Sequence, residues 1–167
     1  MTNTKAQEIL DGKQVAKSVQ DSLKEEVLKI VGEGKRAPGL AVVLVGENPA
    51  SELYVRNKIK ACEKVGIKSV LERFDSNADE KQVLACIEKL NKDDSVDGIL
   101  VQLPLPDHLD EEKIVQAIDP SKDADGLHPY NLGCLAQGVP GLRPCTPNGI
   151  ITLLDYYKVP IEGARAV

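Results

Sequence analysis

"PGLAVVLVGENPASELYVRNK", residues 38–58, holds the reading on which the fold turns. It opens with a continuous apolar run, bounded by Pro38-Gly39 on one side and Gly46 on the other. A strand with one wet face alternates polar and apolar residues, whereas an unbroken run marks a strand covered on both faces. The period then changes. Val55, Ile59, Cys62 and Gly66 recur three or four residues apart, one line along a helix that turns about 100° per residue. A buried strand leading into an amphipathic helix is the first half of a crossover between parallel strands.

The same alternation extends both ways. Upstream, "DGKQVAKSVQDSLKEEVLKIVGEG" (11–34) spaces Val15, Val19, Leu23, Val27 and Ile30 as the inward stripe of a helix ending at glycine. Downstream, "KSVLERFD" (68–75) reads as a second strand. "DEKQVLACIEKLNKD" (79–93) reads as a helix with Val83, Cys86, Ile87 and Leu90 inward. "VDGILVQL" (96–103) is another buried strand, stopped by "PLP" because proline cannot donate to a ladder. A short helix over "LDEEKIVQAI" (109–118), a turn-rich loop over "DPSKDADGLHP" (119–129) and a last helix over "TPNGIITLLDYYK" (146–158) follow. The pattern predicts an α/β domain of three layers, a mainly parallel sheet flanked by helices. Residues 1–147 form that domain, and 148–167 a helix and the start of a strand leading onward.

Composition narrows the function. The 167 residues are 42% hydrophobic and 28% charged, with net charge −5, the balance of a soluble globular chain. An acidic chain without a basic stripe interleaved with aromatics argues against nucleic acid as partner. No apolar run approaches the roughly 20 residues of a membrane span, and "MTNTKAQEIL" has no apolar signal core. Cys62, Cys86, Cys134 and Cys145 show no metal-ligand spacing and read as thiols of a reducing cytoplasm.

In open parallel sheets ligands bind beyond the carboxyl ends of the strands. Two segments lie there, "VGENPASELYVRNK" (45–58) and "VQLPLP" (101–106). Tyr54 and Lys58 share one row of the helix beside its core stripe, in the half-buried zone of a cleft wall. Lys58 reads in two ways: a stem covering apolar surface with its ammonium in water, or a proton-transfer group tuned by burial. Gln102 either caps a strand end or holds that lysine. If the two strands are neighbours, Lys58 and Gln102 face one crevice. In "KDADGL" (122–127) an aspartate either satisfies local backbone N–H groups or reaches into the crevice to bind paired donors. Metal binding needs more ligands than these two acids supply, and His108 and His128 stand alone.

Together, "VGENPASELYVRNKIKACEKVGI", "DGILVQLPLP", "DADGL" and "PCTPNGI" resemble the N-terminal domain of the bifunctional methylenetetrahydrofolate dehydrogenase/methenyltetrahydrofolate cyclohydrolase family. The resemblance implies a tetrahydrofolate substrate lying in a cleft. It implies Lys58 as the catalytic lysine, Tyr54 packing on the folate, Gln102 supporting the lysine and Asp125 anchoring the pterin. Val55, Val101 and Leu103 complete the implied substrate-binding set. It also implies NADP as cofactor, held by a Rossmann domain that the family carries after "GARAV", and a homodimer formed through that domain. No phosphate-cradling loop is expected within these residues, because "VGEGKRAPG" (31–39) follows a helix rather than a strand. Two other readings use the same residues: Lys58 as a Schiff-base nucleophile, or a non-catalytic folate-binding module.

Overall fold

The computed structural model describes residues 9–165. Helix α1 (Gly12–Gly32) is opened by Asp11, whose carboxylate accepts the N–H groups of Lys13 and Gln14. Strand β1 (Gly39–Val45) runs into helix α2 (Pro49–Val65), capped at its start by Asn48 and stopped at Gly66 in the left-handed region, φ +85°. Strand β2 (Lys68–Phe74), helix α3 (Glu80–Asn91) with a reciprocal Asp79/Gln82 cap, strand β3 (Gly98–Val101) and helix α4 (Glu111–Gln116) follow. Helices α5 (Pro129–Gln137) and α6 (Cys145–Tyr156) complete the order.

Among the described residues the strands form one parallel sheet in the order β2-β1-β3. The centre of that sheet is the apolar run of 39–45, and the reason it lacks alternation is visible in its packing. Ala41, Val43 and Val45 point to one side, against Val83, Ile87 and Leu90 of α3 and Ile114 of α4. Val42 and Leu44 point to the other, with Leu100, against Val55 of α2. Helices on both faces of a parallel sheet are the three layers expected. Arg36 ties the sheet's entrance together by a fork onto the Asp97 carboxylate, with contacts of 2.6 and 2.8 Å.

Three features differ from the reading of the sequence. On α1, Val15 and Val27 are buried, but Val19 and Leu23 are 42% and 39% exposed, since α2 and α6 cover only parts of the stripe. Helix α5 was not anticipated: its buried residues are Asn131 and Cys134, so it carries no apolar stripe to read. After α6, residues 157–165 form turns and irregular backbone, with no strand among them. Residues 166–167, at the end of the expected strand start, and residues 1–8, within the segment read as having no signal core, lie outside the described part. No helix of the described residues is long and apolar enough to cross a membrane.

Candidate active site

β1 and β3 are hydrogen-bonded neighbours, so the condition for a shared crevice is met. Gln102 follows β3 directly, and its N–H continues the ladder by donating to the Val43 carbonyl at 2.9 Å. Its side-chain Nε2 donates to the carbonyl of Leu103 at 2.7 Å. With its nitrogen committed there, the amide presents Oε1 outward, and Lys58 Nζ donates to it at 3.3 Å. Lys58 is therefore aimed across the sheet's carboxyl edge rather than out along α2.

Asp125 joins them from the loop after α4. Lys58, Asp125, Leu127, Pro144, Cys145, Thr146 and Pro147 line a cavity of about 200 Å³. The Asp125 carboxyl is half-buried, and desolvation pushes it above the usual carboxylate range. The Lys58 ammonium opposes that rise and the neighbouring Asp123 adds to it. The two acids of "DADG" divide the two roles left open for them. Asp123 is 1% exposed and accepts backbone N–H groups of the turn, whereas Asp125 shares the cavity with Lys58.

The other expected residues are placed less uniformly. Tyr54 lies one turn before Lys58 and is 60% exposed, more open than the half-buried cleft wall expected of it. Val55 and Val101 are buried, in the cores on opposite faces of the sheet, so their side chains support the crevice from behind. Leu103 is half-buried and contributes its carbonyl to the Gln102 amide; the peptide to Pro104 is cis. His128 caps α5, its Nδ1 accepting from the N–H of Tyr130, and His108 contacts the Ala78 carbonyl.

Sequence reasoning assigned no role to the α6 end of the cavity, although "PCTPNGI" was among the stretches carrying the resemblance. Cys145 N–H donates to the Asp125 carbonyl at 3.1 Å, and its thiol to the Ala124 carbonyl at 3.2 Å. These two bonds fasten the start of α6 to the acidic loop. Gly126 makes that closeness feasible: φ is +69°, and a Cβ there would lie 2.3 Å from the Arg143 carbonyl carbon.

Comparison with known proteins places the chain. Residues 10–125 match the model of the tetrahydrofolate dehydrogenase/cyclohydrolase catalytic domain. The bifunctional protein FolD of Maridesulfovibrio salexigens is 52% identical over 160 residues, 96% of this chain and 56% of that protein. The crystal structure of the bifunctional FolD enzyme from Campylobacter jejuni superposes with TM-score 0.89 at 47% identity, over 92% of this chain and 55% of that one. The FolD of Trypanosoma brucei, solved with NADP cofactor and an inhibitor, gives TM-score 0.88 at 34% identity, covering 93% and 54%. The chain spans about half the length of these relatives. Its matched residues, its three-layer sheet and its similarity to these enzymes place it in the tetrahydrofolate dehydrogenase/cyclohydrolase family, as a catalytic domain of that family.

Proposed function

We propose that this chain supplies the folate cleft and the catalytic lysine of a methylenetetrahydrofolate dehydrogenase/methenyltetrahydrofolate cyclohydrolase. The observation that carries the reading is the orientation of Lys58 by Gln102, at 3.3 Å, on the wall of a cavity it shares with Asp125. Residues 1–147 are the folate-binding unit in this reading, and 148–167 lead toward a segment that binds NADP. Such a protein is a homodimer working in the cytoplasm, in one-carbon metabolism.

The chemistry follows from the groups present. 5,10-Methenyltetrahydrofolate is a cation whose methenyl carbon is the electrophile, and this reading uses Lys58 as the free amine beside it. The neutral Lys58 takes a proton from water as that water adds to the methenyl carbon. The ammonium so formed gives that proton to N5 as the C–N5 bond breaks, and the adduct's hydroxyl proton leaves to solvent as the C=O of 10-formyltetrahydrofolate forms. Water adds and one proton leaves overall, so the atoms balance. Gln102 keeps Nζ from swinging along the helix. Asp125 accepts the paired donors of the aminopyrimidine edge, and the exposed ring of Tyr54 offers a flat face to the pterin.

NADP, the acceptor of hydride from the methylene bridge, does not fit these residues. In the glycine-rich stretch 31–39 the N–H groups are already used: those of Glu33, Gly34 and Lys35 donate to the carbonyls of Lys29, Val31 and Ile30, and that of Gly39 to the Asp97 carboxylate. A phosphate cradle needs such N–H groups free, so no hydride step is assigned to these residues.

The test is hydrolysis of methenyltetrahydrofolate, followed as loss of its absorbance above the uncatalysed rate, in this chain and in a two-domain protein containing it. Lys58→Ala should lower the rate by about 10²–10⁴-fold, the usual contribution of a positioned acid–base group, with the fold intact by circular dichroism. Activity that survives Lys58→Ala in the two-domain protein overturns the mechanism.

A further inference from the structure

Asp123 is buried deeper than any residue of the cavity and touches none of the reacting groups, yet all of its acceptor capacity is used. One carboxylate oxygen accepts the N–H of Gly126 at 3.1 Å and of Leu127 at 3.3 Å. The other accepts the N–H of His128 at 2.9 Å and Nδ2 of Asn131 at 2.9 Å. Asn131, itself 2% exposed, also donates from Nδ2 to the Pro120 carbonyl at 2.9 Å, which fixes the amide's direction. The backbone is held as firmly. Residue 123 pairs in parallel with Ile99, whose N–H donates to Lys122 and whose carbonyl accepts from Ala124. This loop is in effect a short extension of the sheet beside β3. Two residues further along, the Asp125 carbonyl receives the Cys145 N–H.

We propose that Asp123 is a positioning residue that sets where Asp125 stands, and through Asp125 the affinity of the cleft for its folate; the proposal rests on the folate reading above. Four donors converge on this side chain, so a carboxylate is required. An asparagine would turn an NH₂ toward two of them and leave buried donors unpaired. The turn would then open at Gly126 to His128, and Asp125 would lose its fixed place opposite Lys58.

The experiment is a double-substitution cycle read by 5-formyltetrahydrofolate binding in the full chain, with backbone amide exchange as a second readout. Asp123→Asn should weaken binding about tenfold, and Asp125→Asn by at least as much. Adding Asp123→Asn to Asp125→Asn should cost less than about twofold more, because both act through one group. Exchange at the Cys145 amide, whose acceptor is the Asp125 carbonyl, should quicken about fivefold or more in Asp123→Asn while Ile87 in α3 stays protected. Additive losses, or unchanged exchange at Cys145, overturn the proposal and leave Asp123 a stability residue only. Absence of binding by the unsubstituted chain counts against the folate reading instead, and the exchange arm alone then decides the positioning. Should Asp123→Asn fail to fold, Asn131→Ala removes one of the four donors and must show the same non-additivity and the same direction at Cys145.

Discussion

A half-buried carboxylate facing an ammonium is pulled two ways, and at Asp125 desolvation wins over Lys58, with Asp123 adding to the rise. The folded state thus holds this proton more tightly than the unfolded chain does. Its contribution to stability is fully present below the ordinary carboxyl value of about 4, and is lost as pH climbs through the raised folded value. At neutral pH the burial of this acid therefore costs stability relative to an uncharged side chain of the same shape. Asp125→Asn keeps the shape and removes the charge, so it should raise the Tm at pH 7 by about 1–3 °C, a modest gain because the group keeps part of its water. The gain should vanish below about pH 4, where the native acid is already neutral. Calorimetric scans at the two pH values check it, and a lower Tm at pH 7 would mean that attraction to Lys58 outweighs burial. A side chain that costs stability while serving a ligand is expected of a residue kept for function. Spacing and residue type in "DADG" do not say which acid this is; only the family resemblance singled out Asp125. The sequence shows two carboxylates two apart; in the structure residue 123 pairs with Ile99 and caps the turn that follows, and Asp125, within that turn, lines the cavity.

Among elements, legibility followed burial on defined faces. β1, α2, β2, α3 and β3 were readable because each strand is covered or half-covered by a helix whose stripe repeats at 3.6 residues. Helix α5 was not, because it is short, carries a glycine in its middle, and its anchors are a buried amide and a thiol rather than an apolar stripe. α6 was readable as a helix while its setting was not: none of its residues is buried, and Ile150 and Ile151 are 55% and 44% exposed. What joins α6 to the site is backbone contact with the acidic loop, which leaves no hydrophobic signature. That junction is testable at Gly126. Alanine there would need φ +69° and would put its Cβ 2.4 Å from the Arg143 carbonyl oxygen. Gly126→Ala should therefore lose about 2 kcal/mol or more of stability, strain and steric overlap acting together, and the urea midpoint should show it. A loss under about 0.5 kcal/mol would mean that residues 143–144 retreat freely, and that α6 is only loosely fastened to the loop.

For the molecule as a whole, the charged surface has the opposite pH sign from the site. Asp97 is held below the usual range chiefly by its hydrogen bond from Arg36, Glu80 by Lys113, Glu88 by Lys92, Asp93 by Ser95 and Asp119 by Ser121. A carboxyl lowered in the folded state contributes stability that is complete above its unfolded value and lost as pH falls through the folded one. Acid should therefore erode stability below about pH 4, while Asp125, the one raised carboxyl among the described residues, works gently in the other direction above it. Of the lowered groups, Asp97 has the most structure resting on it, because it accepts from Arg36 and also from the Gly39 N–H at the head of the central strand. Asp97→Asn should lower the urea midpoint at pH 7 and make the acid limb shallower. Raising salt should weaken the unsubstituted protein more than the variant, since the pair is part-exposed and screened. Urea titrations at pH 7 and pH 3, each at low and high salt, decide it. An acid limb as steep in Asp97→Asn as in the parent would transfer the acid sensitivity to the remaining lowered carboxylates and leave Asp97 with only its backbone bond to β1.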